Sequence, residues 1–172
     1  GQCVADRYRR KQGGEAGAAD IVITDGSQGG FDVIGKVFLE RGDRVVMERP
    51  TYHGALQGFS LYETDFAQVS LLEDGPDVEA LNRVLGEAPA KLFYSVPSFQ
   101  NPSGFTYSLV KRKQVADLLA SHDLMHVEDD PYSEIRFEGE DLPPIKKFLP
   151  ENSVLLGPSS QPLAPAFTRG GA

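Results

Sequence analysis

Lys91-Leu92-Phe93-Tyr94-Ser95-Val96-Pro97-Ser98-Phe99-Gln100-Asn101-Pro102-Ser103-Gly104 carries an apolar run straight into a loop rich in Pro, Asn and Gly. The apolar run reads as a buried strand. The segment from Ser108 onward, with Leu109, Val115, Leu118 and Leu119, reads as a helix. Strand, rigid polar loop and helix in succession is how open α/β sheets present ligand-binding groups at their strand ends. Pro and Gly restrict the loop backbone, so the Asn101 amide can be held in one orientation.

Outward from this stretch the chain alternates between two periods. Ile21-Val22-Ile23-Thr24, Arg44 to Glu48, Phe66 to Leu71, Leu124 to Val127 and Ser153 to Leu156 read as further strands. Between them lie helical patterns. One has Phe31, Ile34 and Phe38 on a face with Val37 beside them, and stops at Arg41-Gly42-Asp43; a short one runs from Ala55 to Tyr62; one bears Val78, Leu81 and Leu85 and is capped by Asp77. The region around Pro143-Pro144 is looser. Such alternation predicts an α/β fold: a three-layer sandwich with a mostly parallel sheet covered on both faces.

At 172 residues the chain can build one core and is too short for two ordinary domains. A formal net charge of -8 argues against a general nucleic-acid surface, and no apolar run reaches membrane-spanning length. The basic cluster Arg7-Tyr8-Arg9-Arg10-Lys11 reads as the solvated face of a helix. The lone Cys3 excludes an internal disulfide and suggests a reducing compartment, so a soluble cytoplasmic protein is expected. The chain begins inside a helical pattern and stops soon after a strand, so a partial domain is expected.

Three loops at strand ends carry polar chemistry. Asp25-Gly26-Ser27-Gln28-Gly29-Gly30 precedes a helix, whose free N–H groups suit an anion such as phosphate, although Ser27 can equally be a plain N-cap. The Asn101 loop can equally be a Pro-Gly turn whose Asn caps its own backbone. Glu128-Asp129-Asp130-Pro131-Tyr132 sets three carboxylates after a buried strand, which costs electrostatic energy unless a cation or a proton compensates. A metal is the weaker candidate, because His126 falls inside the strand and His122 at a helix end. A protonated ring nitrogen of a cofactor is the other, since a single carboxylate can hold it through a charge-assisted hydrogen bond.

Four phrases together carry a family resemblance: Ile23-Thr24-Asp25-Gly26-Ser27-Gln28, Glu48-Arg49-Pro50-Thr51-Tyr52, Pro97 to Gly104, and Val127-Glu128-Asp129-Asp130-Pro131-Tyr132. In this order and spacing, from about residue 20 to 157, the chain resembles the large domain of fold-type I, pyridoxal-phosphate-dependent aminotransferases of class I/II. The nearest subgroups are the 2-aminoadipate (LysN-like) aminotransferases and the aminotransferase-like half of MocR-type regulators. The resemblance implies a PLP-dependent transferase-like large domain, incomplete over residues 1–172, with the small C-terminal domain absent. It implies pyridoxal 5'-phosphate as cofactor, an amino acid and a 2-oxo acid as substrates, and a homodimer for the full-length family member. Ser27 and Gln28 would hold the phosphate, Tyr52 would stack on the pyridine ring, and Asn101 and Tyr132 would hydrogen-bond the ring phenolate oxygen. Asp129 would pair with the pyridine nitrogen. No metal site is implied.

The resemblance breaks down after Gly157. The family runs from Gly through hydroxyl residues and an aromatic to the Schiff-base lysine and an apolar Ala-Pro segment. Here the run is Gly157-Pro158-Ser159-Ser160-Gln161-Pro162-Leu163-Ala164-Pro165, which sets Gln161 on the lysine position. An amide can neither form an imine nor shuttle a proton as an amine does. Pro158 replaces a hydroxyl, and Thr168 falls where the family has its phosphate-binding arginine, with Arg169 one place late. None of the seven lysines has a matching context elsewhere. The resulting expectation is an aminotransferase domain without transaminase activity as it stands; the alternative is a non-catalytic PLP-binding or regulatory module. A Rossmann-like dehydrogenase with Glu48 on a ribose is a third reading, but it lacks the glycine fingerprint.

Overall fold

The computed structural model describes residues 18–131 and 142–157. Six strands form one sheet in the order β3-β2-β1-β4-β5-β6, from β1 (Arg44–Arg49), β2 (Asp65–Leu72), β3 (Gly75–Pro76), β4 (Leu92–Ser95), β5 (Met125–Asp129) and β6 (Ser153–Leu156). All pairings are parallel except the short β2·β3 pair. Among the described residues, four α-helices connect or precede them: α1 (Gly26–Phe38), α2 (His53–Ser60), α3 (Val78–Glu87) and α4 (Leu109–Ala120). None is long and apolar enough to cross a membrane.

Side chains alternate across each strand, and this builds two cores. Val45 and Met47 of β1, Leu92 and Tyr94 of β4 and Val127 of β5 pack with Phe31 and Ile34 of α1 and Ala55 and Phe59 of α2. Val46 and Phe93, from the opposite face, pack with Leu81 and Leu85 of α3, Val115 and Leu119 of α4, and Ile145 from the 3-10 turn Ile145–Lys147. The sheet is therefore sandwiched between α1 and α2 on one side and α3 and α4 on the other, the three layers that the sequence pattern predicts. Local signals explain the helix starts. Asp77 accepts from the Ala80 N–H at 3.0 Å, and Ser108 accepts from the Lys111 N–H at 3.1 Å, each satisfying an amide that a helix start leaves open.

One expected strand is absent. Residues 21–24 lie outside the sheet, with Val22 72% and Ile23 62% exposed. β-branched residues mark a segment able to pair, but a strand exists only beside a partner, and no described strand runs along this segment. Instead the chain turns: Gly26 N–H donates to the Thr24 carbonyl, and the Thr24 hydroxyl donates to the Gly26 carbonyl, both at 3.1 Å.

Candidate functional site

α1 opens at the same sheet edge as the loop after β1. Asp25 precedes it without a side-chain cap, Gly26 takes φ +71°, and the exposed Ser27 and Gln28 occupy the first turn. The first amides of a helix have no partner within it, so this turn presents N–H donors. Gln28 Nε2 donates to the Gly54 carbonyl at 3.3 Å, which ties α1 to the start of α2. Gly54 is needed there: a Cβ on it would lie 2.6 Å from the Tyr52 ring and 2.8 Å from Gln28 Nε2. Tyr52 is half-buried, its ring 6.4 Å from that of Phe31. Beside it, Thr51 Oγ1 is buried without a hydrogen-bond partner among the described residues.

The loop after β4 is fixed from within. Arg112 of α4, fully buried, donates to the carbonyls of Pro97 (2.9 Å) and Tyr107 (3.2 Å) and to Ser98 Oγ (3.0 Å). Gln100 is 1% exposed while its neighbour Asn101 is exposed. Phe99 between them and the strand has φ +49°, a left-handed backbone that persists because its surroundings over-determine it. Its N–H donates to Thr106 Oγ1, and the Gln100 N–H donates to the Phe105 carbonyl.

At the end of β5, strand alternation separates the carboxylates of Glu128 and Asp129. Glu128 points to the α4 face, where it accepts from the Ile145 and Lys146 N–H groups at 3.1 and 3.0 Å and lies 3.8 Å from Arg112. Asp129 points to the α1 face and accepts from the Tyr94 hydroxyl at 2.8 Å. Tyr94 in turn packs edge-on against Phe31, the ring that Tyr52 approaches, so Tyr52 and Asp129 flank one aromatic cluster. Burial pushes Asp129 up to about 6, against the lowering effect of the Tyr94 hydroxyl. Asp129 forms no ion pair with a described basic side chain. It is a buried carboxylate at a strand end suited to a cationic hydrogen-bond donor.

The expected cost of the acidic run is present, with Asp130 helping to raise both Glu128 and Asp129, and period-two alternation sends these two to different partners. Sequence reasoning missed a polar layer on the opposite face of the sheet. There the neutral His126, depressed to about 3 by burial, bridges Ser95 Oγ (2.9 Å) and Ser153 Oγ (3.1 Å). Glu48, fully buried, accepts from the Tyr107 hydroxyl, the Val96 N–H (3.1 Å) and Gln100 Nε2 (3.0 Å). A carboxylate so enclosed is not offered to a ribose, which removes the dehydrogenase reading. The one signal for this layer was the polar residue within each apolar run. Tyr132 and Gln161, with Pro158, Thr168 and Arg169, lie outside the described residues.

Comparison with known proteins matches residues 1–157 to the family model for aminotransferase class I and II. The chain belongs to that family. It is 43% identical over 157 residues to aromatic-amino-acid aminotransferase 1 of Thermococcus litoralis, covering 88% of this chain and 38% of that one. It is 39% identical over 152 residues to the 2-aminoadipate transaminase of Thermus thermophilus, covering 86% of this chain and 38% of the relative. The chain thus spans 38% of the length of these two curated relatives. Among solved structures, the Pyrococcus horikoshii kynurenine aminotransferase, crystallised with PMP, superposes with a TM-score of 0.87 at 40% identity, over 95% of this chain and 42% of that chain.

Proposed function

We propose that this chain is the cofactor-holding part of a pyridoxal 5'-phosphate-dependent aminotransferase, and that with glutamine at position 161 it binds the cofactor without completing amino transfer. The observation that carries the reading is Asp129: a buried carboxylate at a strand end, oriented by Tyr94 and without a described cation, on the face where Tyr52 and the α1 start also lie. This chemistry fits a protonated pyridine nitrogen, and the exposed first turn of α1 fits a phosphate.

Each residue then has a task. Asp129 keeps a proton on the ring nitrogen, and the Tyr94 hydroxyl holds that carboxylate in place. Tyr52 stacks on the ring. Asn101, on its fixed loop, donates to the ring oxygen, as does Tyr132 by family resemblance. Ser27, Gln28 and the open α1 amides take the phosphate. The cofactor supplies an electron sink for the α-carbon of an amino acid. Removing and returning that carbon's proton needs a base, and an amide at 161 cannot serve. The substrates of the complete protein are an amino acid and a 2-oxo acid, and its assembly is a homodimer; both rest on the family.

Sodium borohydride reduction after addition of pyridoxal 5'-phosphate tests the reading. The expected result is reversible binding, no pyridoxyl label on any lysine and no turnover of an amino acid with a 2-oxo acid. A label at a defined lysine together with turnover would overturn the non-catalytic part.

A further inference from the structure

Gln100 lies between two loops that the proposed function uses separately. Its Nε2 donates to Glu48 Oε2 at 3.0 Å and to the Pro50 carbonyl at 2.7 Å, both at the end of β1. Its Oε1 accepts from the Ser103 N–H at 2.9 Å and the Ser103 hydroxyl at 2.6 Å, both on its own loop. The side-chain amide thus has both donors directed into one loop and both lone pairs into the other. Its main chain is tied as well, with the N–H donating to Phe105 and the carbonyl accepting from Gly104. Beneath it, Glu48 is held by the Tyr107 hydroxyl and the Val96 N–H. Asn101 follows Gln100 directly, and Tyr52 follows Pro50 by two residues.

We propose that Gln100, seated on Glu48, is a positioning residue that locks the Asn101 loop to the Tyr52 loop and so sets the spacing of the two groups that meet the cofactor. The inference rests on the cofactor reading above. No other side chain reproduces the connection: a glutamate at 100 would lose both donors and face Glu48 with a second carboxylate. An alanine would leave Glu48 Oε2 and the Pro50 carbonyl without their amide donor. Gln100 has no need to touch the cofactor, because it acts through Asn101 and Tyr52.

The test compares Gln100→Ala, Asn101→Ala and the double variant of this chain. The first readout is amide hydrogen exchange without cofactor. Gln100→Ala should lower protection in residues 56–60, whose first amide bonds the Tyr52 carbonyl, and in 101–106 together, whereas Asn101→Ala should leave 56–60 unchanged. The second is pyridoxal 5'-phosphate titration. Each single variant should weaken binding about tenfold, and the double variant should be weaker than Asn101→Ala by clearly less than tenfold, because only the part of the Gln100 effect that runs through Tyr52 then remains. Losses that multiply, or faster exchange confined to 101–106, would overturn the proposal while leaving the cofactor reading intact. Absence of binding by the unsubstituted chain would overturn the cofactor reading and with it the role of Gln100. If Gln100→Ala does not fold, Ser103→Ala, which removes one hydroxyl donor, should move both readouts in the same direction by a smaller amount; no change in either overturns the proposal.

Discussion

At the ends of β1, β4 and β5, the polar groups are held from within the fold: Asn101 follows Gln100, which is seated on Glu48, the base of its loop rests on Arg112, and the buried Asp129 is held by Tyr94. At the start of α1, Ser27 and Gln28 are exposed, and the Gln28–Gly54 hydrogen bond joins this turn to α2. The first region takes its geometry from the interior of the fold, and the second from a helix terminus and its open amides. A rigid planar ring needs groups fixed in relative position, whereas a phosphate is satisfied by N–H donors that converge on it. The contrast predicts that damage to the first region lowers stability and affinity together, while damage to the second lowers affinity alone.

The largest effect should come from Arg112→Met. It removes the donors to Pro97, Ser98 and Tyr107 and leaves Glu128 buried near no guanidinium, which should cost about 3–5 kcal/mol in urea unfolding. A cost below about 1 kcal/mol would mean that the loop is not held from within.

Next is the pH dependence of folding. Burial raises Glu48 and Glu128 to about 7 and Asp129 to about 6, above their unfolded values, so these groups take up protons on folding. Their contribution is complete below the unfolded carboxylate range and is lost as pH rises through about 6 to 7. His126, depressed to about 3, acts oppositely: its contribution is complete above its unfolded value and is lost as pH falls toward about 3. Three carboxyl groups outweigh one imidazole, so the melting temperature should fall between about pH 5 and about pH 8. Glu48→Gln should flatten that fall, and an equally steep fall in the variant would exclude Glu48 as a contributor.

The smallest stability effect belongs to Ser27→Ala, within about 0.5 kcal/mol, since the residue is exposed and bonded to no described group. Its pyridoxal 5'-phosphate affinity should nevertheless drop several-fold. Equal affinity would remove the α1 start from the phosphate site. Gly54→Ala sharpens the comparison, because the new methyl group displaces Tyr52 or Gln28 at the seam between the regions.

Much of this was legible in the sequence, and the exceptions have physical causes. Val45, Met47, Leu92 and Phe93 announce strands because a parallel sheet buries both faces of each strand. Asp77 and Ser108 announce helix starts through their caps. Ile21–Thr24 misled because strand propensity describes a segment, whereas pairing depends on a neighbour elsewhere in the chain. Ser27, Gln28, Tyr52, Asn101 and Asp129, the residues that the proposed function assigns to the cofactor, come from motifs in the sequence. Their supports, Glu48, Gln100, Tyr94 and Arg112, are defined by contacts across 14 to 59 positions of sequence, which no local pattern encodes.

The proposed function sets a buried carboxylate, Asp129, at the centre of a cofactor cradle. Its most direct test is pyridoxal 5'-phosphate titration of this chain and of Asp129→Ala, followed by absorbance and checked by dilution for reversibility. The expected result is saturable, reversible binding by the unsubstituted chain and a loss of at least about tenfold in the variant, as follows when a charge-assisted hydrogen bond is removed. Equal affinity for both chains, or no binding by either, would contradict it.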